Sequence, residues 1–137
     1  MSRSLYEPTT SAQRARRKEL APAIHDAFES FSRAVFTEGA LPEKTKQLIA
    51  VAVAHVTQCP YCIDGHTKQA RRKGASPEEV MEAIWVAAEM RAGGAYAHAA
   101  VALRAMENDG SGPDGHNGAE GHAHASSGSP HDETGLA

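Results

Sequence analysis

Cys59 and Cys62 are the two cysteines of this 137-residue chain, and they stand three apart in Cys59-Pro60-Tyr61-Cys62, with His66 four residues further on. If this segment opens a helix, the two sulfurs lie about one turn apart, close enough for a disulfide to form and break without large backbone movement. They also lie at the positive end of the helix dipole, which favours thiolate over thiol. His66 falls one turn below Cys62 on the same face, where an imidazole can take the Cys62 proton at neutral pH. The residues therefore point to a redox-active dithiol.

These effects disagree about which sulfur attacks. The dipole favours Cys59, nearest the helix end, whereas the histidine favours Cys62, because Cys59 is seven residues and two turns from His66. Direct proton transfer to an adjacent base is the more specific effect and selects Cys62. Two other readings use the same residues. Two small buried thiols beside an incidental histidine would be structural. A zinc knuckle would use Cys59, Cys62 and His66, with His55 or His98 as a fourth ligand, but the sequence lacks the distant second ligand pair that structural zinc sites commonly add.

The elements that must position this pair all read as helix. Ser11–Glu19 forms a basic helix or lead-in, and Leu20, Ile24, Phe28, Phe31 and Val35 follow helical spacing, with Pro22 in the first turn. A helix beginning near Pro42 carries Leu48–Ala54, apolar all round, which predicts burial on every side. A small chain has little interior for such a helix, so burial by partner subunits is expected. Proline disfavours helical geometry in the residue before it, which makes Cys59 the N-cap and Pro60 the first residue of the next helix, running to Lys73 and stopped by Gly74. Ser76-Pro77-Glu78-Glu79 is a capping box for a helix ending near Gly93-Gly94, and a last helix spans about Ala95–Glu107. His55 precedes the cysteine turn and His98 lies near the start of the last helix. Both are candidates to line the pocket, as is Tyr61 between the cysteines.

Composition agrees with an all-α fold, a compact bundle of about five to six helices. The chain is 41% hydrophobic but only 5% aromatic, so small aliphatic residues must build the core. Net charge is -3; of the 17 acids five lie in residues 108–137, leaving 12 against 14 bases elsewhere. Neither balance calls for nucleic acid or an anionic membrane. The N-terminus lacks an apolar signal core and no run is long enough to span a bilayer, which together predict a cytoplasmic protein. The domain is expected over residues 1–107, with 1–19 as lead-in. Residues 108–137 hold seven of the 12 glycines and four of the eight histidines (His116, His122, His124, His131), and read as a disordered tail whose histidines bind metal loosely if at all.

The stretch from Leu41 through Cys59-Pro-Tyr-Cys-Ile-Asp-Gly-His66 to Glu79 resembles the carboxymuconolactone decarboxylase superfamily, and within it the alkylhydroperoxidase D-like branch. The likeness covers about residues 20–105. It implies a helical fold that assembles into trimers or hexamers and reduces hydroperoxides with thiols. It further implies Cys62 as the peroxidatic cysteine, Cys59 as the resolving one, and His66 in a proton relay. The relay of that branch begins with a glutamate twelve residues before the first cysteine, where this chain has Gln47. Glutamine cannot take the proton, so the relay as drawn in that branch is broken at its first member; either Gln47 orients a water by hydrogen bonding, or His55, Glu43 or a solvent route serves instead. No metal or organic cofactor is implied, only an external dithiol reductant, either a thiol–disulfide protein or a small dithiol. The alternative is a non-enzymatic helical oligomer that senses redox state or binds zinc.

Overall fold

The computed structural model describes residues 6–110, and the tail with its four histidines lies outside them. Among the described residues the structure is all-helical: α1 (Ser11–Leu20), α2 (Pro22–Phe36), α3 (Glu43–Thr57), α4 (Pro60–Arg72), α5 (Pro77–Ala97) and α6 (Ala99–Asn108). Among the described residues the chain divides into two units after Ala99, and the first holds α1–α5. In the second, α6 continues as a regular helix to Asn108.

Local chemistry sets the helix boundaries. Thr10 caps α1 and exchanges hydrogen bonds with Gln13, so the basic lead-in is a helix in its own right. Pro22 opens α2 and Pro60 opens α4, both at the first turn, where a missing N–H costs nothing. Ser76 caps α5, and the reciprocal bonds Glu79 N–H to Ser76 Oγ (3.0 Å) and Ser76 N–H to Glu79 Oε2 (2.9 Å) complete the expected capping box. Gly74, at φ +92, supplies the left-handed residue that lets the Ala75 N–H reach back to the Ala70 carbonyl at 2.9 Å.

Two expectations need correction. Gly93-Gly94 does not end α5, which continues to Ala97 before breaking at His98. Glycine weakens a helix by about 1 kcal/mol relative to alanine but keeps its N–H, so the ladder passes through it. In addition, α3 is not buried on every side within one chain. Val51 and Ala54 are buried, while Ile49 (48%) and Val53 (53%) face outward.

The core is small and lies between α3, α4 and α5. Val51, Ala70, Ala75 and Val80 are buried together, with Leu48 and Ile84 packed against them. Alanine at 70 allows close approach of α3 and α4, which places position 47 of one helix opposite position 66 of the other. Two ion pairs reinforce the same helix ends: Lys44 to Glu79 at 3.0 Å and Lys73 to Glu43.

Candidate active site

The turn between α3 and α4 is two residues long. Gln58 adopts the left-handed conformation (φ 60, ψ 41) as the C-cap of α3, and Cys59 follows in extended geometry as the N-cap of α4. The Cys59 N–H bonds back to the Ala54 carbonyl at 3.2 Å, closing α3, while its own carbonyl accepts from Ile63 N–H at 2.9 Å, opening α4. The sequence dictates this arrangement through Pro60, which forces the preceding residue out of helical geometry.

Cys59 and Cys62 form a disulfide across the first turn of α4, with their Cα atoms 5.3 Å apart. The Cys62 N–H donates to Cys59 Sγ at 3.3 Å, so the sulfur acts as the capping acceptor of the helix. Both cysteines are half-buried.

His66 lies on the next turn of α4. Its Nδ1 is 2.8 Å from Gln47 Oε1, and Gln47 is 6% exposed. An amide oxygen only accepts, so the proton resides on Nδ1 and Nε2 presents its lone pair. Partial burial lowers the His66 pKa from its ordinary 6.5, because desolvation disfavours the imidazolium. The ring lies over Phe36, with centroids 5.0 Å apart and planes inclined by 30°. Phe36 is the last residue of α2, and Lys46 fixes that helix end by donating to the Val35 carbonyl (2.8 Å) and the Thr37 carbonyl (2.6 Å). A shallow, open pocket lined by Phe36, Gln47, His66, Glu43 and Lys73 gives solvent access to this pair.

The expected residues therefore divide. Cys59 caps α4, Cys62 and His66 lie on its first two turns, and Gln47 reaches His66 from α3 by a direct hydrogen bond. Glu43 lines the same pocket but is paired with Lys73. His55 turns its Nδ1 onto the Val51 carbonyl of its own helix (2.7 Å), and His98 does the same with Gly94 (2.7 Å). Neither lines the pocket shared by His66 and Gln47, and Tyr61 is exposed beside the N-terminal segment. Among the described residues, no group of three or more His, Cys, Asp and Glu side chains is gathered tightly enough to hold a metal ion. Phe36 and Lys46 were not legible as site residues. Their roles arise from packing between helices, and the apolar period of α2 marks a face without naming what it covers.

A helical fold carrying a Cys-x-x-Cys pair at a helix start, with a histidine one turn on, defines a class, and comparison assigns it. The profile of the carboxymuconolactone decarboxylase family matches residues 22–105, and the chain belongs to that family. Among its relatives is uncharacterized protein 4 in cox locus of Paracoccus denitrificans, 60% identical over 100 residues, covering 73% of this chain and 90% of that protein. An uncharacterized protein of Haemophilus influenzae is 38% identical over 86 residues, 63% of this chain and 74% of that one. Two crystal structures share the fold. A protein from Methanobacterium thermoautotrophicum superposes with a TM-score of 0.61 at 36% identity, over 65% of this chain and 97% of that one. The apo form of a carboxymuconolactone decarboxylase family protein from Legionella pneumophila gives 0.57 at 37% identity, over 71% and 87%.

Proposed function

We propose that this protein is a thiol-dependent peroxidase that reduces hydroperoxides through the Cys59–Cys62 pair. The observation that carries the reading is His66, neutral and held by Gln47 with Nε2 as its basic nitrogen, one turn from Cys62 on the helix that Cys59 caps.

The reduced site starts as two thiols. His66 Nε2 takes the Cys62 proton, and the thiolate attacks one oxygen of the peroxide O–O bond. That bond breaks, the alkoxide leaves with the proton from His66, and Cys62 becomes a sulfenic acid. Cys59 sulfur then attacks the Cys62 sulfur, water departs, and the disulfide forms. One hydroperoxide and two thiols give one alcohol, one water and one disulfide. An external dithiol restores the thiols, and the cycle needs no metal or organic cofactor. Among the described residues no helix is long and apolar enough to cross a membrane. A reducing cytoplasm would keep such a dithiol supplied.

The working form is a homo-oligomer, a trimer or hexamer. Leu20 at the end of α1, Ile24, Phe28 and Phe31 on α2 and Trp85 on α5 are largely exposed, apolar side chains that partner subunits would cover. Turnover measured with a panel of hydroperoxides and dithiols tests the reading. Consumption of peroxide that requires both cysteines and a dithiol supports it, and absence of turnover across the panel overturns it.

A further inference from the structure

We propose that Cys59 is the sulfur that carries the negative charge in the exchange steps, so that an external thiol attacks Cys62 and displaces Cys59 as thiolate. The inference rests on the reading of the pair as redox-active and adds the direction in which it is reduced.

The two sulfurs have different surroundings. Cys59 Sγ accepts the Cys62 N–H at 3.3 Å and caps a 13-residue helix, so a thiolate there meets both a backbone donor and the positive end of the peptide dipoles. Pro60 contributes no N–H, which leaves the Cys62 amide as the donor turned onto that sulfur. Cys62 is inside the helix, and the polar group on its face is His66. Because Gln47 Oε1 holds the Nδ1 proton, Nε2 offers a lone pair and no N–H. A neutral imidazole in that tautomer removes a proton from the Cys62 thiol but gives no hydrogen bond to a departing Cys62 thiolate. The same contact that makes His66 a base for Cys62 therefore makes Cys62 the poorer leaving group. In thiol–disulfide exchange the better-stabilised thiolate leaves faster.

A reductant thiolate attacks Cys62 sulfur, a new S–S bond forms, the Cys59–Cys62 bond breaks, and its electron pair goes to Cys59 sulfur. When the reductant is a dithiol, its second thiolate attacks its own sulfur in the mixed disulfide and releases Cys62, which takes a proton from solvent. The reductant leaves as its own disulfide, oxidised by two electrons, and the protein is reduced by two. In the other direction the same Cys59 thiolate attacks the Cys62 sulfenic acid.

The test uses the oxidised full-length protein and glutathione, a monothiol that cannot complete the second step. Samples are quenched with acid early in the reaction, free thiols are alkylated, and the adducts are mapped by mass spectrometry. The expected result is glutathione on Cys62 and alkyl on Cys59, in several-fold excess over the reverse. Glutathione on Cys59, an even distribution, or a disulfide inert to the thiol overturns the inference. Titration of thiolate absorbance gives a second reading. The remaining thiol of Cys62→Ser should ionise at lower pH than that of Cys59→Ser, and the opposite order overturns the inference. Neither measurement involves peroxide. A protein that takes glutathione on Cys62 yet consumes no hydroperoxide sinks the peroxidase reading and leaves this one standing, and the converse result does the reverse.

Discussion

Gln47 Oε1 and His66 Nδ1 are 2.8 Å apart, a hydrogen bond that joins the buried face of α3 to the second turn of α4. A carboxylate at position 47 would pull the imidazole toward its protonated form, whereas the neutral amide fixes the tautomer without adding charge. The consequence is a histidine kept uncharged by partial burial, with its basic nitrogen at Nε2.

That relationship sets the acid side of the pH profile. His66 must be neutral to accept a proton, and its pKa is lowered from 6.5, so peroxide-dependent thiol loss should persist below pH 6.5 before it falls. Gln47→Glu places a negative charge on Nδ1–H, stabilises the imidazolium and moves the acid limb to higher pH. Above neutral pH, where the base is free in both proteins, the stronger base should raise the rate. Stopped-flow pH profiles of the two proteins make the comparison. A flat or lower rate with an unmoved limb shows that position 47 has no role in the proton path.

Removing the base isolates its contribution. His66→Ala should slow peroxide reduction by roughly 10²–10⁴-fold, the range for a positioned acid–base group. The number of titratable thiols in the reduced protein should stay at two. A rate within a few-fold of the wild type would place the proton acceptor elsewhere.

The capping box at the start of α5 gives a stability prediction away from the chemistry. Ser76→Ala removes the acceptor for Glu79 N–H and should cost about 1 kcal/mol, read as a lower midpoint in urea. The Ser76 backbone N–H, then the Lys44 ammonium, hold the Glu79 carboxyl below its ordinary 4.5. A depressed carboxyl stabilises the fold fully above that value, and the contribution is lost as pH falls below it through the lowered pKa of the folded state. The stability gap between the two proteins should be read at neutral pH, where Glu79 is ionised in both.

Exposed apolar side chains make the assembly testable. Trp85→Glu puts a charge on a surface the oligomer is proposed to cover, and light scattering should show a shift toward monomer. An unchanged mass, or a wild-type protein that is already monomeric, contradicts the assembly.

Much of this was legible along the chain because it is local. Pro60 after Cys59 and Ser76 three residues before Glu79 each carry a short-range steric or hydrogen-bonding rule that holds in the structure, and Cys62 and His66 stand one turn apart on the helix that Pro60 opens. The pairing of Gln47 with His66 spans nineteen residues and depends on how closely α3 approaches α4 at Ala70, which no local pattern encodes. Phe36 over His66 and Lys46 on the end of α2 were hidden for the same reason. The glycines at 93 and 94 misled because weak helix propensity is a cost of about 1 kcal/mol each, and a 21-residue helix absorbs it.

The central claim is that the two cysteines act together on a peroxide. Fully reduced protein should be mixed with one equivalent of hydroperoxide and its thiols counted before and after. Both thiols should be lost, with peroxide consumption abolished in Cys62→Ser. Retention of both thiols, or stoichiometric zinc that blocks them, would contradict the claim.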